Sequence, residues 1–125
     1  MNTFNDVKIF MEAADHQVKR EIDGAFTHQS LLYMDLVKEE YYELVKAVKD
    51  FDIVETADAC ADLIWVIEGL CHSLGIPLQQ VWKEVARSNL SKVSSSGKIL
   101  KREDGKILKP DTYSPPNIKA VLKLK

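Results

Sequence analysis

No stretch of this 125-residue chain is apolar over the roughly 18–20 residues that a membrane-spanning helix needs. The best run, between Ile53 and Leu74, is broken by Asp58, Asp62 and Glu68. The start, MNTFNDVKIF, lacks the basic cluster and apolar stretch of a signal peptide, which favours a cytoplasmic protein. Cysteine is scarce. Cys60 and Cys71 lie about three turns apart on one presumed helix, too far to bridge at about 1.5 Å rise per residue, and read as separate buried thiols. His16, His28 and His72 are scattered, so a zinc site is disfavoured. No G-x-x-x-x-G-K-[ST] loop occurs, which argues against a P-loop enzyme.

What is present is charge, unevenly distributed. The net charge is −2. Residues 1–90 carry 16 acidic and 8 basic side chains, a balance of −8. Residues 91–125 carry 3 acidic and 9 basic ones, a balance of +6. Such a tail can bind nucleic acid or fold against an acidic body, its own or a partner's. Tyr113 is its only aromatic, so it lacks the stacking residues of a single-strand binder, and nucleic acid is disfavoured as a partner.

Four helices are predicted. The first runs from about Phe4 to Arg20, with Phe4, Val7, Phe10, Met11, Ala14 and Val18 at helical spacing and Thr3 as cap. The second runs from about Ser30 to Lys49, capped by Thr27 or Ser30. The third spans about Val54 to Leu74, with Gly75 as its C-terminal cap. Pro77 opens the fourth, which carries Val81, Trp82, Val85 and Ala86 and frays near Leu90–Val93. Trp65 and Trp82 read as core residues. GKILK then occurs twice, around Glu103-Asp104-Gly105, a turn signal for a short hairpin. The expected fold is all-α: a four-helix domain over residues 1–93 and an irregular basic tail over 94–125. That tail belongs to the same domain or packs on a partner subunit.

The carboxylates decide the functional reading. Projected at about 100° per residue, the second helix places Leu36, Ala47, Tyr33, Leu44, Val37, Val48 and Tyr41 on one arc. Glu40 falls inside that arc, and Glu43 and Glu39 at its edge. On the third helix, Glu55, Asp58 and Asp62 form one stripe, which Gly69 and Ser73 prolong. Leu63, Ile67, Leu70, Cys60, Leu74, Cys71 and Ile64 make up its apolar arc. Two neighbouring acidic stripes repel unless protons or a cation neutralise them. An oxygen-loving divalent ion, Mg²⁺ above all, suits that donor set.

KEEYYELVKAV, Lys38–Val48, resembles the EExxE element of the all-α nucleoside triphosphate pyrophosphohydrolases, the MazG and phosphoribosyl-ATP pyrophosphohydrolase superfamily. ADLIWVI, Ala61–Ile67, resembles the element supplying the aspartate of its ExxD. LGIPLQQVWKEVARSNLSK and DGKILKPDTYSPP are similar to the phosphoribosyl-ATP branch in order and spacing. The resemblance covers roughly Leu36 to Pro116. It departs at Ala59, where ExxD aligned on Asp62 has an acid. Glu55-Thr56-Ala57-Asp58 is itself an E-x-x-D one turn up the helix; Asp58 with Asp62 is the pair taken, with Glu55 in reserve.

The resemblance implies a MazG-like bundle that cleaves a (d)NTP between the α and β phosphates, giving the monophosphate and pyrophosphate. Glu40, Glu43, Asp58 and Asp62 would hold Mg²⁺, with Mn²⁺ as a substitute and Glu39 and Glu55 as further candidate ligands. Glu39 and Glu43 are the candidate catalytic residues, Glu39 as ligand or as general base toward water. Arg87, Asn89 and Lys92 are candidates for substrate binding. Phosphoribosyl-ATP is the alternative substrate, and a non-catalytic helical oligomer the alternative class. A homodimer or homotetramer is expected, because the third helix is apolar nearly all round. No membrane partner is expected.

Overall fold

The computed structural model describes residues 2–124. It is all-α, as expected: four helices of seven or more residues and no named strand among the described residues. The chain divides into two compact units, one up to Leu78 and one from Gln79 onward.

In the first unit, α1 spans Thr3–Ala13, α2 His28–Lys49 and α3 Ile53–Leu74. The two long helices have 22 residues each and are joined by three residues, so they form an αα-hairpin packed along its length. Thr27 caps α2 by accepting the Ser30 N–H, and Asp52 caps α3 by accepting that of Glu55. Gly75 ends α3 at φ +75°, a left-handed conformation that costs an L side chain about 1–2 kcal/mol. A Cβ there would also sit 2.2 Å from the Glu21 carbonyl oxygen. Val7 and Met11 of α1 meet Tyr33 and Val66 in the core, with Val18, Leu36, Val37, Leu63, Trp65 and Leu70 packed around them.

Several expectations are corrected. The first helix stops at Ala13, not Arg20. Asp15 adopts φ +58°, and the His16 N–H returns to the Met11 carbonyl, closing the helix end. Val18 reaches the core from irregular chain, so its helical spacing was coincidental. The cap of α1 is Asn2, and the Thr3 hydroxyl donates instead to Glu68 Oε1 at 2.7 Å. Cys60 is exposed, whereas Cys71 is buried. Ile64, Ile67, Val48 and Tyr41, assigned to buried arcs, are exposed, because each long helix of the hairpin turns only a narrow stripe toward its neighbours.

The second unit takes α4, Leu78–Leu90, from Gln79 onward, together with the tail. Trp82 is 69% exposed and is not a core residue; Val81, Val85 and Ala86 are half-buried. The turn at Arg102–Gly105 forms, but only a single bridge, Lys101 with Ile107, flanks it; a second bridge, Val93 with Ile99, closes the turn before it. The last segment is anchored by side chains. Thr112 Oγ1 donates to the Ser91 and Val93 carbonyls, the Ser114 N–H donates to Ser91 Oγ, and the Asn117 N–H donates to Glu84 Oε2. A short α5, Ile118–Val121, capped by Asn117, follows and was not expected.

Candidate active site

The acids of the hairpin converge electrostatically, although they differ in exposure. Glu40 and Asp62 are half-buried; Glu39, Glu43, Asp58 and Glu55 are exposed. Glu40 Oε2 is buried and has no hydrogen-bond partner among the described residues. Burial first, then the charge of Glu43 and a hydrogen bond with its carboxyl, with Asp62 and Glu39 adding to them, push the Glu40 carboxyl up to about 7. Asp62 is raised by burial and by the charges of Asp58 and Glu43. Glu39, Glu40, Glu43, Asp58 and Asp62 are thus one interacting set across α2 and α3. Glu55 stands apart. It occupies the first turn of α3, where the helix dipole favours an acid, and shares a hollow with Glu43, Lys46, Asp50 and Asp52.

No three His, Cys, Asp or Glu side chains among the described residues already stand close enough to form a metal-holding group. The donor set nevertheless fits a hard cation. It is all oxygen, it carries a buried carboxylate oxygen without a partner, and it repels itself enough to retain a proton near neutrality.

Beside these acids lies a cavity of about 240 Å³ that the sequence reading missed. Glu40 and Asp62 share its wall with Phe10, Leu36, Trp65 and Val66, and His16 and Tyr33 line it too. Phe10 and Trp65 meet edge to face, with centroids 5.6 Å apart. His16 Nδ1 lies 2.9 Å from the Tyr33 hydroxyl. Tyr33 rests on Gly69, where a Cβ would come within 2.2 Å of the ring. One signal was available: Tyr33, Leu36 and Glu40 share a helix face, as do Asp62, Val66 and Gly69.

The three substrate-binding candidates lie in the second unit, each with a local partner. Arg87 forms a fork to Glu84, Nε to Oε1 at 2.7 Å and a terminal nitrogen to Oε2 at 2.9 Å, and donates to the Pro115 carbonyl. Asn89 Oδ1 accepts from Lys92 Nζ at 3.2 Å, and Lys92 also faces the Tyr113 ring. Glu84, not singled out from sequence, is the hub. The Arg87 guanidinium and then the Asn117 N–H pull its carboxyl down to about 2.

A helical hairpin carrying carboxylates on both helices agrees with the all-α pyrophosphohydrolase class that the resemblance implied. The model of the family described as phosphoribosyl-ATP pyrophosphohydrolase matches residues 7–89, about two thirds of the chain, and the chain belongs to that family. Membership supports a pyrophosphohydrolase activity. The match begins in α1 and ends before the DGK…YxPP tail, so the tail's resemblance lies outside it. An uncharacterized protein of Acanthamoeba polyphaga mimivirus is 45% identical over 47 residues, covering 38% of this chain and 19% of the viral protein. The aligned part therefore spans about a fifth of that relative's length. Among the described residues, no single helix is long and apolar enough to cross a membrane.

Proposed function

We propose that the chain hydrolyses nucleoside or deoxynucleoside triphosphates to the monophosphate and pyrophosphate, with Mg²⁺, or Mn²⁺ in its place, held by Glu40, Glu43, Asp58 and Asp62. The observation that carries this reading is Glu40, whose buried carboxylate oxygen Oε2 has no hydrogen-bond partner among the described residues and lies amid other acids, next to a cavity of about 240 Å³. When bound, the metal supplies charge neutralisation for the triphosphate and for the charge developing on it. Glu40 and Asp62, the less exposed pair, set the depth at which the phosphates stop. Glu43 links the α2 and α3 acids, since both Glu40 and Asp62 feel its charge. Glu39, exposed beside Glu40, is assigned to orient the attacking water and take its proton, with Glu43 as the other catalytic acid.

Phosphoribosyl-ATP is the second reading, favoured by the description of the matching family. Arg87, Asn89 and Lys92 are retained as phosphate and sugar contacts of lower rank, because each already serves the second unit. A homodimer or homotetramer is part of the proposal. Ile53, Val54, Ile64 and Ile67 leave α3 with an exposed apolar side that a second copy would cover.

The test is a panel of NTPs, dNTPs and phosphoribosyl-ATP with Mg²⁺ or Mn²⁺, read for pyrophosphate and monophosphate. Glu43→Gln and Asp62→Asn should each lower kcat at least about 100-fold while the helical circular dichroism is kept. Asp58→Asn should impair turnover more than Glu55→Gln does. No turnover of any nucleotide, together with no heat of Mg²⁺ binding, would reject the proposal. Orthophosphate as product would place the cleavage at the wrong bond.

A further inference from the structure

We infer that the cavity lined by Phe10, His16, Tyr33 and Trp65 receives the nucleobase, and that the His16–Tyr33 pair reads its hydrogen-bonding edge. The substrate class that follows is an ordinary nucleotide with an unsubstituted base, not one bearing a second phosphoribosyl group on the base. This assignment rests on the nucleotide reading of the carboxylates.

Size comes first. The cavity holds about 240 Å³, below the roughly 300–1,000 Å³ of sites that enclose a drug-sized ligand. It accepts a ring system and leaves sugar and phosphates outside, where Glu40 and Asp62 form the wall. Chemistry comes second. Phe10, Leu36, Trp65 and Val66 offer aromatic and aliphatic surface against which a flat heterocycle stacks. A phosphoribosyl group on the base would bring a phosphate dianion among those apolar side chains and beside the carboxylates of Glu40 and Asp62, with His16 the only basic side chain in the lining.

The polar pair comes third. If Tyr33 donates to His16 Nδ1, the imidazole keeps an N–H on Nε2 and the phenol oxygen keeps a lone pair. If His16 donates, the phenol keeps its O–H and Nε2 accepts. Either tautomer leaves one donor and one acceptor, the pairing that the edge of a nucleobase offers. The pair is held in place: Tyr33 is 2% exposed and lies on Gly69, where a methyl group would displace the ring.

The experiment uses the full chain carrying Trp82→Phe, which leaves Trp65 as the sole tryptophan. In EDTA, uncharged nucleosides are titrated against Trp65 emission and the imidazole proton resonances of His16. Saturable changes in both are expected. Tyr33→Phe keeps the ring on Gly69 and should weaken nucleoside binding and raise the KM for NTPs about tenfold. Phe10→Ala, at a half-exposed position, should weaken stacking without opening the core. No response to any nucleoside up to its solubility limit would overturn the assignment. So would an unchanged KM in Tyr33→Phe, or phosphoribosyl-ATP being turned over faster than every ordinary NTP; both leave the hydrolase reading standing. Nucleoside binding by a protein that hydrolyses nothing would support the pocket and reject the hydrolase.

Discussion

Replacing Glu40 by Gln should make the metal-free protein more stable above pH 7 and at the same time remove its stabilisation by Mg²⁺. The Glu40 carboxyl rises from an ordinary 4.5 to about 7 on folding, through burial and the charge of Glu43. Between those values the folded chain holds a proton that the unfolded chain releases. Its contribution to stability is therefore fully present below about 4.5 and is lost as pH rises through about 7. The rise sets a ceiling of about 3 kcal/mol at 1.36 kcal/mol per pH unit. Solvent around the half-buried side chain reduces this to roughly 1–2 kcal/mol. Gln keeps the shape and never ionises. In EDTA at pH 8, Glu40→Gln should melt about 3–8 °C above wild type at matched protein concentration, and the gap should close near pH 4.5. With Mg²⁺ the order reverses. With the metal held as proposed, wild type should gain about 2.7 kcal/mol at a hundredfold excess over Kd, and the variant should gain much less. A variant less stable than wild type at pH 8 in EDTA would refute the crowding argument. Undiminished stabilisation by Mg²⁺ would remove Glu40 from the ligand set.

Two further outcomes test the packing. Burial and the nearby Glu68 push the Cys71 thiol up to about 11, leaving roughly one thiolate in a thousand at pH 8, whereas Cys60 is exposed. Brief maleimide labelling followed by peptide mass spectrometry should modify Cys60 alone, and equal labelling of Cys71 would contradict the core described. The depressed Glu84 carboxyl, held by Arg87, contributes stability above its ordinary 4.5 that is lost only as pH falls through about 2. The Asn117 amide resonance should therefore move near pH 2; a midpoint near 4.5 would show that the anchor does not hold in solution, and Glu84→Gln should speed hydrogen exchange at Asn117.

The hairpin and its acids were legible because their signals are local. Capping by Thr27, the glycine stop at Gly75, and the spacing of Glu39, Glu40 and Glu43 are written within a few residues of one another. The cavity was not legible. It depends on Phe10 from α1, His16 from irregular chain, Tyr33 from α2 and Trp65 from α3 meeting in space. Helical periodicity also misplaced Val18, since an apolar side chain satisfies a helix pattern whether or not the backbone continues past Asp15. Two long helices packed mainly on each other bury only part of an apolar arc, so the projection placed Ile64 and Cys60 inside when they are outside. The tail's basic composition hid a set of backbone anchors built from Ser91, Thr112 and Glu84, none of which stands out by charge or periodicity.

The departure at Ala59 is where sequence pattern and structure inform each other most. Position 59 is 4% exposed, so a carboxylate there would be stripped of water in the hairpin. Position 58 is exposed, and an aspartate there keeps its hydration while still acting on its neighbour one turn along. Among the charges that raise Asp62, Asp58 ranks above Glu43 of the facing helix. Asp58 and Asp62 stand four residues apart and Asp58 acts on Asp62, while the buried position between them holds the smallest side chain that keeps a helix. A carboxyl placed at position 59 would be desolvated and driven to keep its proton, so Ala59→Glu should lower stability at neutral pH, whereas Asp58 stays hydrated at no such cost.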